Sequence, residues 1–567
     1  MDPDTSSGVP HAYLTPPELK GESSHYPVII CGGGPVGLTA AACLARFGIG
    51  SVVLEKNLGA AAGSRAICLS RRSLEILDWA GAAGPFVAKG LGWTQGRAFY
   101  RDRLIHELRM PHSEAEKFPP MTNLQQFYME EFLARHCEQR TIVDVRWGNV
   151  LVDLARQPDS LALTVATPEG EYRLSCSWLI AADGARSTIR RLLRLSLTGS
   201  SFGGRYLIAD IRLRSAYPTE RRAWFDPPSN RGLTVLMHRQ PEDVWRIDYQ
   251  LGEHDDAEDE VRPERVRERV QRHLDFIGER GEWELLWTSI YSAHSLALES
   301  YVHGRVIFAG DAAHLVPIFG VRGLNSGLAD AHNLAWKLAW ILGGDADERL
   351  LETYASERRN ATLDIHRQAD KSTRFMTPTS RGDTLMREAV LSLAVEHEFV
   401  RPLVDPRQSV PYTYRDSPLN TVAEPPGSFH HGPAPGAPLR NLQVRCGQRA
   451  GYLLDWLGVG FTALLFLSDD SIAEHEVAVN ELLDLTGQHS GAAVRLLIVS
   501  RTHVGTLASP GDRATLLEDV TAAAPELYDI RPGTVYLARP DGHVCARWRR
   551  VTGGSVGAAL RRACART

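Results

Sequence analysis

The chain has 567 residues, 43% of them hydrophobic and 23% charged, with a formal net charge of −5. That length exceeds one hydrophobic core and predicts about three to four globular domains. The small net charge, with no basic stripe and no acidic tail, argues against a nucleic-acid partner, and no stretch reaches the roughly 20 apolar residues that span a bilayer.

The 8 cysteines make no C-x-x-C and no zinc-type cluster with histidine, so no metal site is expected and a reducing cytoplasm is the expected compartment. Residues 1–26 are polar and proline-bearing, lack the apolar core of a secretory signal, and read as a flexible extension. From Pro27 to Glu55 runs PVIICGGGPVGLTAAACLARFGIGSVVLE. Val28 to Cys31 predict a short buried strand, Leu38 to Phe47 a buried helix, and Ser51 to Leu54 a second strand ending in Glu55. Between the first strand and the helix, Gly32, Gly34 and Gly37 form G-x-G-x-x-G. The first glycine permits the tight turn, the second lets a pyrophosphate approach the backbone, and the third lets helix and strand pack closely. Glu55 lies about 20 residues on, where an acid holds a ribose hydroxyl. Together these predict a dinucleotide-binding βαβ unit.

A Gly/Ala-rich loop follows, with Arg65 before a helix from Ser70 to Trp79; that arginine suits either a cofactor phosphate or plain solvent. Gly90 to Leu108 predicts strands, and NLQQFYMEEFLARHC an amphipathic helix whose first-turn Gln125 or Gln126 faces either a ligand or backbone. In SWLIAADGARSTIRRLL, a buried strand ends in the Asp183-Gly184 turn, with Ser187 as an N-cap. Segments between Phe202 and Tyr291 alternate apolar and polar, the period of an antiparallel sheet, around a charged helix from Pro263 to Leu274.

Gly304 to Leu342 reads GRVIFAGDAAHLVPIFGVRGLNSGLADAHNLAWKLAWIL: a strand ending at Gly310-Asp311, a loop with Pro317, Gly320 and Gly323, then a helix capped by Asn325 or Ser326. The helix N-terminus, about half a positive charge, suits an anionic group. Residues 343–400 read as helices whose Arg358, Arg359 and Arg374 form a solvated face. Pro/Gly/Ser-rich residues 401–438 read as a linker, and 439–567 as a separate unit with a hairpin at Asp541-Gly542 and a thioredoxin-like order of elements.

The three motifs in order, G-x-G-x-x-G at Gly32, Asp-Gly at Asp183 and Gly-Asp at Gly310, resemble the single-component FAD-dependent aromatic hydroxylases. This is the family of para-hydroxybenzoate hydroxylase, phenol hydroxylase and the 3-(3-hydroxyphenyl)propionate hydroxylases. The likeness runs from Pro27 to Pro378 and, more weakly, through the C-terminal unit. The expected fold is α/β: a Rossmann-like FAD-binding domain in two parts (27–200 and 301–400), an inserted antiparallel substrate-binding sheet (201–300), and a thioredoxin-like domain lacking its cysteine pair.

By this resemblance Gly32, Gly34 and Gly37 hold the FAD pyrophosphate and Glu55 the adenosine ribose. Arg65 and Gln126 contact FAD, Asp183 lies near the pyrophosphate and also serves the nicotinamide, and Asp311 binds the ribityl chain. Amides of Leu324 and Asn325 meet the flavin N1–C2 edge. Pro35, Val36, Lys56, Gly310, Pro317 and Gly323 complete the expected cofactor set, and Pro317, Ile318 and Phe319 the substrate side. His314 keeps the family pattern and reads as structural. Ile318 replaces a usual proline and Leu296 a common arginine, both where the sheet meets the flavin domain.

The implied reaction is hydroxylation of a phenolic substrate with dioxygen and a transiently docked NAD(P)H, and a homodimer is the expected assembly. His238, Tyr249, Tyr291 and His294 are the candidates for the base a phenol needs. Baeyer–Villiger oxidation or epoxidation of a polyketide-like substrate, and a non-oxygenating FAD protein, stay open as alternatives.

Overall fold

The computed structural model describes residues 10–22, 24–59, 66–317, 319–378, 380–404, 410–421, 428–467, 479–480, 482–484, 494–501, 514–552 and 554–566. Arg65 and Ile318 therefore lie outside the described residues.

The first strand, His25–Cys31, runs parallel to Ser51–Glu55 on one side and to Gly170–Ala181 on the other. Val306–Phe308 joins beyond Gly170–Ala181, and Val143–Trp147 beyond Ser51–Glu55, both parallel. Val28, Ile29 and Ile30 have no solvent exposure, as central strands of a sheet covered on both faces require. The helix Pro35–Arg46 packs against Gln126–Glu138 and against Gly323–Leu342. Upstream residues are more ordered than a flexible extension. His11 stacks on Trp147 at 4.0 Å, and the buried Glu18 accepts a 2.9 Å hydrogen bond from Arg146. The expectation of a loose segment up to residue 26 fails over the part described, because apolar and charged side chains there find partners on the sheet.

The second sheet has eight strands in the order His314–Leu315, Trp283–Ala297, Thr198–Leu213, Val244–Gln250, Thr234–Arg239, Arg221–Phe225, Gln95–Tyr100 and Arg103–Arg109. Its last two strands come from before the expected insertion. The alternating pattern buries Leu207, Ala209, Ile211, Met237 and Ile247 against Val266, Val270 and Leu274 of the helix Pro263–Ile277. The other face turns toward the first domain. There Phe319 packs edge-on to Tyr206 at 5.3 Å, and Tyr291 Oη donates to the Val316 carbonyl at 2.9 Å.

The C-terminal sheet places Phe461–Phe466, Val494–Ser500 and Ala514–Asp519 in parallel, with Thr534–Ala538 and Val544–Trp548 antiparallel at one side. It is fixed to the first domain by a buried polar cluster. Glu357 accepts from Lys337 at 2.8 Å and from Arg539 at 2.6 Å, and Asp541 accepts from Trp336 at 3.2 Å. Two expectations change here. Arg358 is not solvated: it is 2% exposed and donates to Asp330 at 2.6 Å. The stretch expected to be a linker is partly built into the core, with Tyr414 and Leu419 buried and Ser417 donating to Glu357 at 2.5 Å.

No described helix is long and apolar enough to cross a membrane. Each of the cysteines is unpaired, and all but Cys446 are buried, where a thiol packs as a small hydrophobe.

Candidate active site

Three strand ends, far apart in sequence, are stitched together at one edge of the first sheet. Gly32 N donates to Leu54 O at 2.8 Å, Ala182 N to Cys31 O at 2.8 Å, and Ala309 N to Ala181 O at 3.0 Å. The glycines divide the work. Gly32 has φ +113°, and a Cβ there would lie 2.3 Å from the Ala182 carbonyl oxygen. A Cβ on Gly37 would lie 2.0 Å from Gly32 O, so this glycine is needed for helix–turn packing. A Cβ on Gly34 would meet nothing within 4 Å. The space in front of Gly34 is open, and the helix Pro35–Arg46 that starts there has no side-chain cap. Its first-turn amides are available to an anion.

Glu55 is buried, accepting from Gly33 N at 2.7 Å and from Asn57 Nδ2 at 2.7 Å; Lys56 beside it is exposed. Gln126 accepts from Ala66 N at 3.0 Å and donates to Glu130 at 2.8 Å. Asp183 accepts from Ile189 N at 3.1 Å through Oδ2, while its Oδ1 is buried without a partner. Val36 wedges between Gly310 and Gly327, whose Cβ positions would lie 3.0 and 2.6 Å from it. Asp311 follows as the exposed residue of a one-turn helix, Gly310–Ala312, whose other two residues are buried.

The loop after Asp311 is held from behind. Asp330 accepts from Gly310 N at 3.0 Å and His314 Nε2 at 2.7 Å on one oxygen, and from Arg358 on the other. Burial alone would raise the Asp330 carboxyl; Arg358 and then His314 overcome it and hold the group below its usual range. His314 is thus structural, as expected. Pro317 is buried, and Leu296 pairs with Leu315 in the short ladder leading to it.

The next helix starts at Gly323, with Arg322 at the cap position and no capping side chain. Asn325 and Ser326 are not its N-caps, so Gly323, Leu324 and Asn325 present first-turn amides. The Asn325 side chain instead reaches a distant segment, accepting from Ser70 N at 2.8 Å and Ser73 Oγ at 2.6 Å.

A family model for the FAD binding domain matches residues 25–369. A flavin-dependent monooxygenase of Mycobacteroides abscessus is 31% identical over 352 residues, covering 58% of this chain and 70% of that one. The chain belongs to the FAD-dependent aromatic hydroxylases. Another relative of this monooxygenase is a 3-(3-hydroxy-phenyl)propionate/3-hydroxycinnamic acid hydroxylase of Mycolicibacterium smegmatis, 25% identical over 91% of the chain and 89% of the relative. A 6-methylpretetramide 4-monooxygenase of Streptomyces rimosus is 29% identical over 94% and 92%. The fold matches the flavin-dependent monooxygenase PieE, solved with FAD and substrate, at a TM-score of 0.77 and 22% identity over 96% of this chain and 99% of that one.

The monooxygenase's four base candidates separate. Tyr249 lies on the far face, its hydroxyl toward Arg269 O at 3.4 Å. Tyr291 is committed to Val316, and His294 pairs with Ser201 at 2.9 Å. His238 is buried on the face toward the first domain; burial, then Arg221 and Arg246, push it down to about 3. Sequence reasoning missed three neighbours of His238. Arg246 donates twice to Asp210, at 2.8 and 2.7 Å, and Asp248 on the same strand is 3% exposed with Oδ1 unpartnered. Burial pushes the Asp248 carboxyl up to about 7. The signal was present: charged residues at alternate positions of a strand whose other face is wholly apolar.

Proposed function

We propose that this FAD-dependent monooxygenase hydroxylates a phenolic ring, free or within a fused polycycle, using NAD(P)H and dioxygen. The observation that carries the reading is the meeting of three strand ends around the open space at Gly34, with a sheet face of buried polar groups set against the loop that follows. Similarity over 91% of the chain to a 3-(3-hydroxy-phenyl)propionate/3-hydroxycinnamic acid hydroxylase, and over 94% to a 6-methylpretetramide 4-monooxygenase, supports the substrate class.

The site fits the dinucleotide. The Gly34 cradle is one a Cβ would fill, and the neighbouring strand end, bonded to Cys31, carries the orphaned Asp183 oxygen. In this reading Gly32, Gly34, Pro35, Val36 and Gly37 receive the pyrophosphate, Glu55 and Lys56 the adenosine end, and Arg65, Gln126, Asp183, Gly310 and Asp311 the middle of the cofactor. FAD held there would supply the redox chemistry that links nicotinamide oxidation to transfer of one oxygen atom of dioxygen. The amides at Gly323, Leu324 and Asn325, at the positive end of the 20-residue helix, stabilise negative charge placed against them. The same reading gives Pro317, Ile318 and Phe319 the substrate side, and the contact of Phe319 with Tyr206 would exclude water there.

The C-terminal unit acts as a brace on the back of that helix rather than as a redox domain, through Asp541, which accepts from Asn333 and Trp336, and through Arg539, which shares Glu357 with Lys337. A thioredoxin-like ancestry, a homodimer and a cytoplasmic setting belong to the same proposal. The test is a screen of mono- and polycyclic phenols for stimulated nicotinamide oxidation, with mass analysis of products. One ring hydroxyl gained per nicotinamide supports the reading; peroxide release independent of any phenol overturns it.

A further inference from the structure

The face of the second sheet that looks toward the first domain can be read rung by rung. Tyr291, Tyr206 and Gln250 form one rung, and this rung touches the 316–319 loop. The next rung holds Ser289, Ile208, Asp248 and Leu236, and the one after it Trp287, Asp210, Arg246 and His238. Residues two apart on a strand share a face and stand roughly 7 Å apart. Asp248 is therefore one rung from the contact with the loop that carries Pro317.

Along this face, from the Asp248 rung away from the loop, runs a series of buried polar atoms without partners, His238 lying one rung on and Gln240 two. They are Asp248 Oδ1, His238 Nδ1, both amide atoms of Gln240, and Gln125 Oε1. Gln125 belongs to the first domain and donates through Nε2 to Pro241 O at 3.2 Å, so the series crosses from one domain to the other. Native interiors leave few such atoms, because each costs about 1–3 kcal/mol. Several within one interface indicate a site whose hydrogen bonds are completed by a ligand. The only close cation on the Asp248 strand, Arg246, is already engaged by both Asp210 oxygens.

We propose that Asp248 is the base that accepts the phenolic proton of the substrate, with His238 and Gln240 as hydrogen-bonding partners of the ring substituents. The inference rests on the phenol-hydroxylase reading above. The phenol O–H bond breaks, the proton passes to Asp248 Oδ1, and the electron pair stays on the phenolic oxygen, raising electron density on the ring carbons. The groups facing Asp248 are Arg246 on its own strand, Asp210 on Thr198–Leu213, and Arg221 on Arg221–Phe225; Tyr206 also feels its charge. A carboxyl held near neutrality by burial is the stronger base for this transfer. His238, held neutral, is a hydrogen-bonding group rather than the proton acceptor.

The test uses the FAD-loaded full chain, wild type and Asp248→Asn, against a panel of phenols of graded acidity. The panel runs from simple phenols of pKa about 10 to nitrophenols already ionised in water at the assay pH. The expected result is a loss of about 100-fold or more in kcat/KM for the weakly acidic phenols, a loss of only a few-fold for ionised ones, and unchanged FAD content. An absorbance titration without reductant gives a second readout. Wild type should bind a chromogenic phenol in its ionised form below that phenol's own pKa, and Asp248→Asn should bind it neutral. A loss equal across the panel, no loss at all, or identical bound spectra would overturn the assignment. A wild type that hydroxylates no phenol would instead defeat the functional reading on which the assignment stands.

Discussion

Arg539 of the C-terminal sheet donates to both oxygens of Glu357, at 2.6 and 3.1 Å, and the two side chains are 1% and 3% exposed. Glu357 lies on the helix Leu350–Met376, and the same carboxylate binds Lys337 on the helix Gly323–Leu342. Burial opposes charge on Glu357, but Arg539 and Lys337 reverse this and lower its carboxyl well below the ordinary range. The C-terminal unit is therefore coupled to the helix Gly323–Leu342 through a desolvated ion cluster. Removing one partner from such a cluster costs about 3–5 kcal/mol, because the other charge is left buried.

Arg539→Met should accordingly lower the melting temperature of the whole chain and release FAD in the same transition. Flavin fluorescence and circular dichroism followed together check this. A C-terminal unit that melts alone while flavin stays bound would show that the contact carries no coupling.

The two glycines of the first turn should behave differently. A side chain at Gly34 has open space, so Gly34→Val should fold with its native melting profile and fail to retain FAD. A side chain at Gly37 would overlap the Gly32 carbonyl, so Gly37→Val should fail to accumulate as folded protein. Flavin content and soluble yield of the two variants separate steric exclusion of a ligand from steric failure of the fold. Full flavin loading of Gly34→Val would show that the open space is not the phosphate site.

Asp330→Asn should unfold earlier than wild type, and most clearly at neutral pH. Its carboxylate binds Arg358, His314 and the Gly310 amide, all out of water. Because the folded group titrates below its unfolded value of 3.8, the stabilisation is present above that pH and is lost as pH falls through the lower folded value. The difference in melting temperature between variant and wild type, measured from pH 7 down to pH 3, should shrink at the acid end.

These sites differ in how legible they were in the sequence, and the reason is the range of the interaction. The turn at Gly32–Gly37, the Asp183 turn and Gly310 could be read directly, because each is a demand of the local backbone on a glycine or a strand end. Asn325 looked like a cap because capping is local; its actual partners, Ser70 and Ser73, lie some 250 residues away in the chain. Arg358 looked solvated because its helix is charged, and only the docking of Asp330 shows it to be buried. The second sheet's alternation was read correctly as a sheet with one apolar face. What the pattern could not show is that its polar face is also covered, by the flavin domain.

That covered face supplies the last prediction. Burial raises the Asp248 carboxyl from 3.8 to about 7. Between those values the folded chain binds a proton that the unfolded chain has released, so stability falls as pH rises through that window and stays lower above it. Three units correspond to about 4 kcal/mol at 1.36 kcal/mol each. Asp248→Asn has no proton to lose and keeps nearly the same shape. It should therefore melt higher than wild type at pH 8, with the gap closing as pH is lowered toward 4. Thermal unfolding of both chains across that range checks the sign. A constant gap would mean that Asp248 titrates as an ordinary carboxylate, and a variant less stable at pH 8 would mean that its charge is compensated in the fold. The expected outcome, more stability with less activity, is the signature of a group held against its preference for the sake of chemistry.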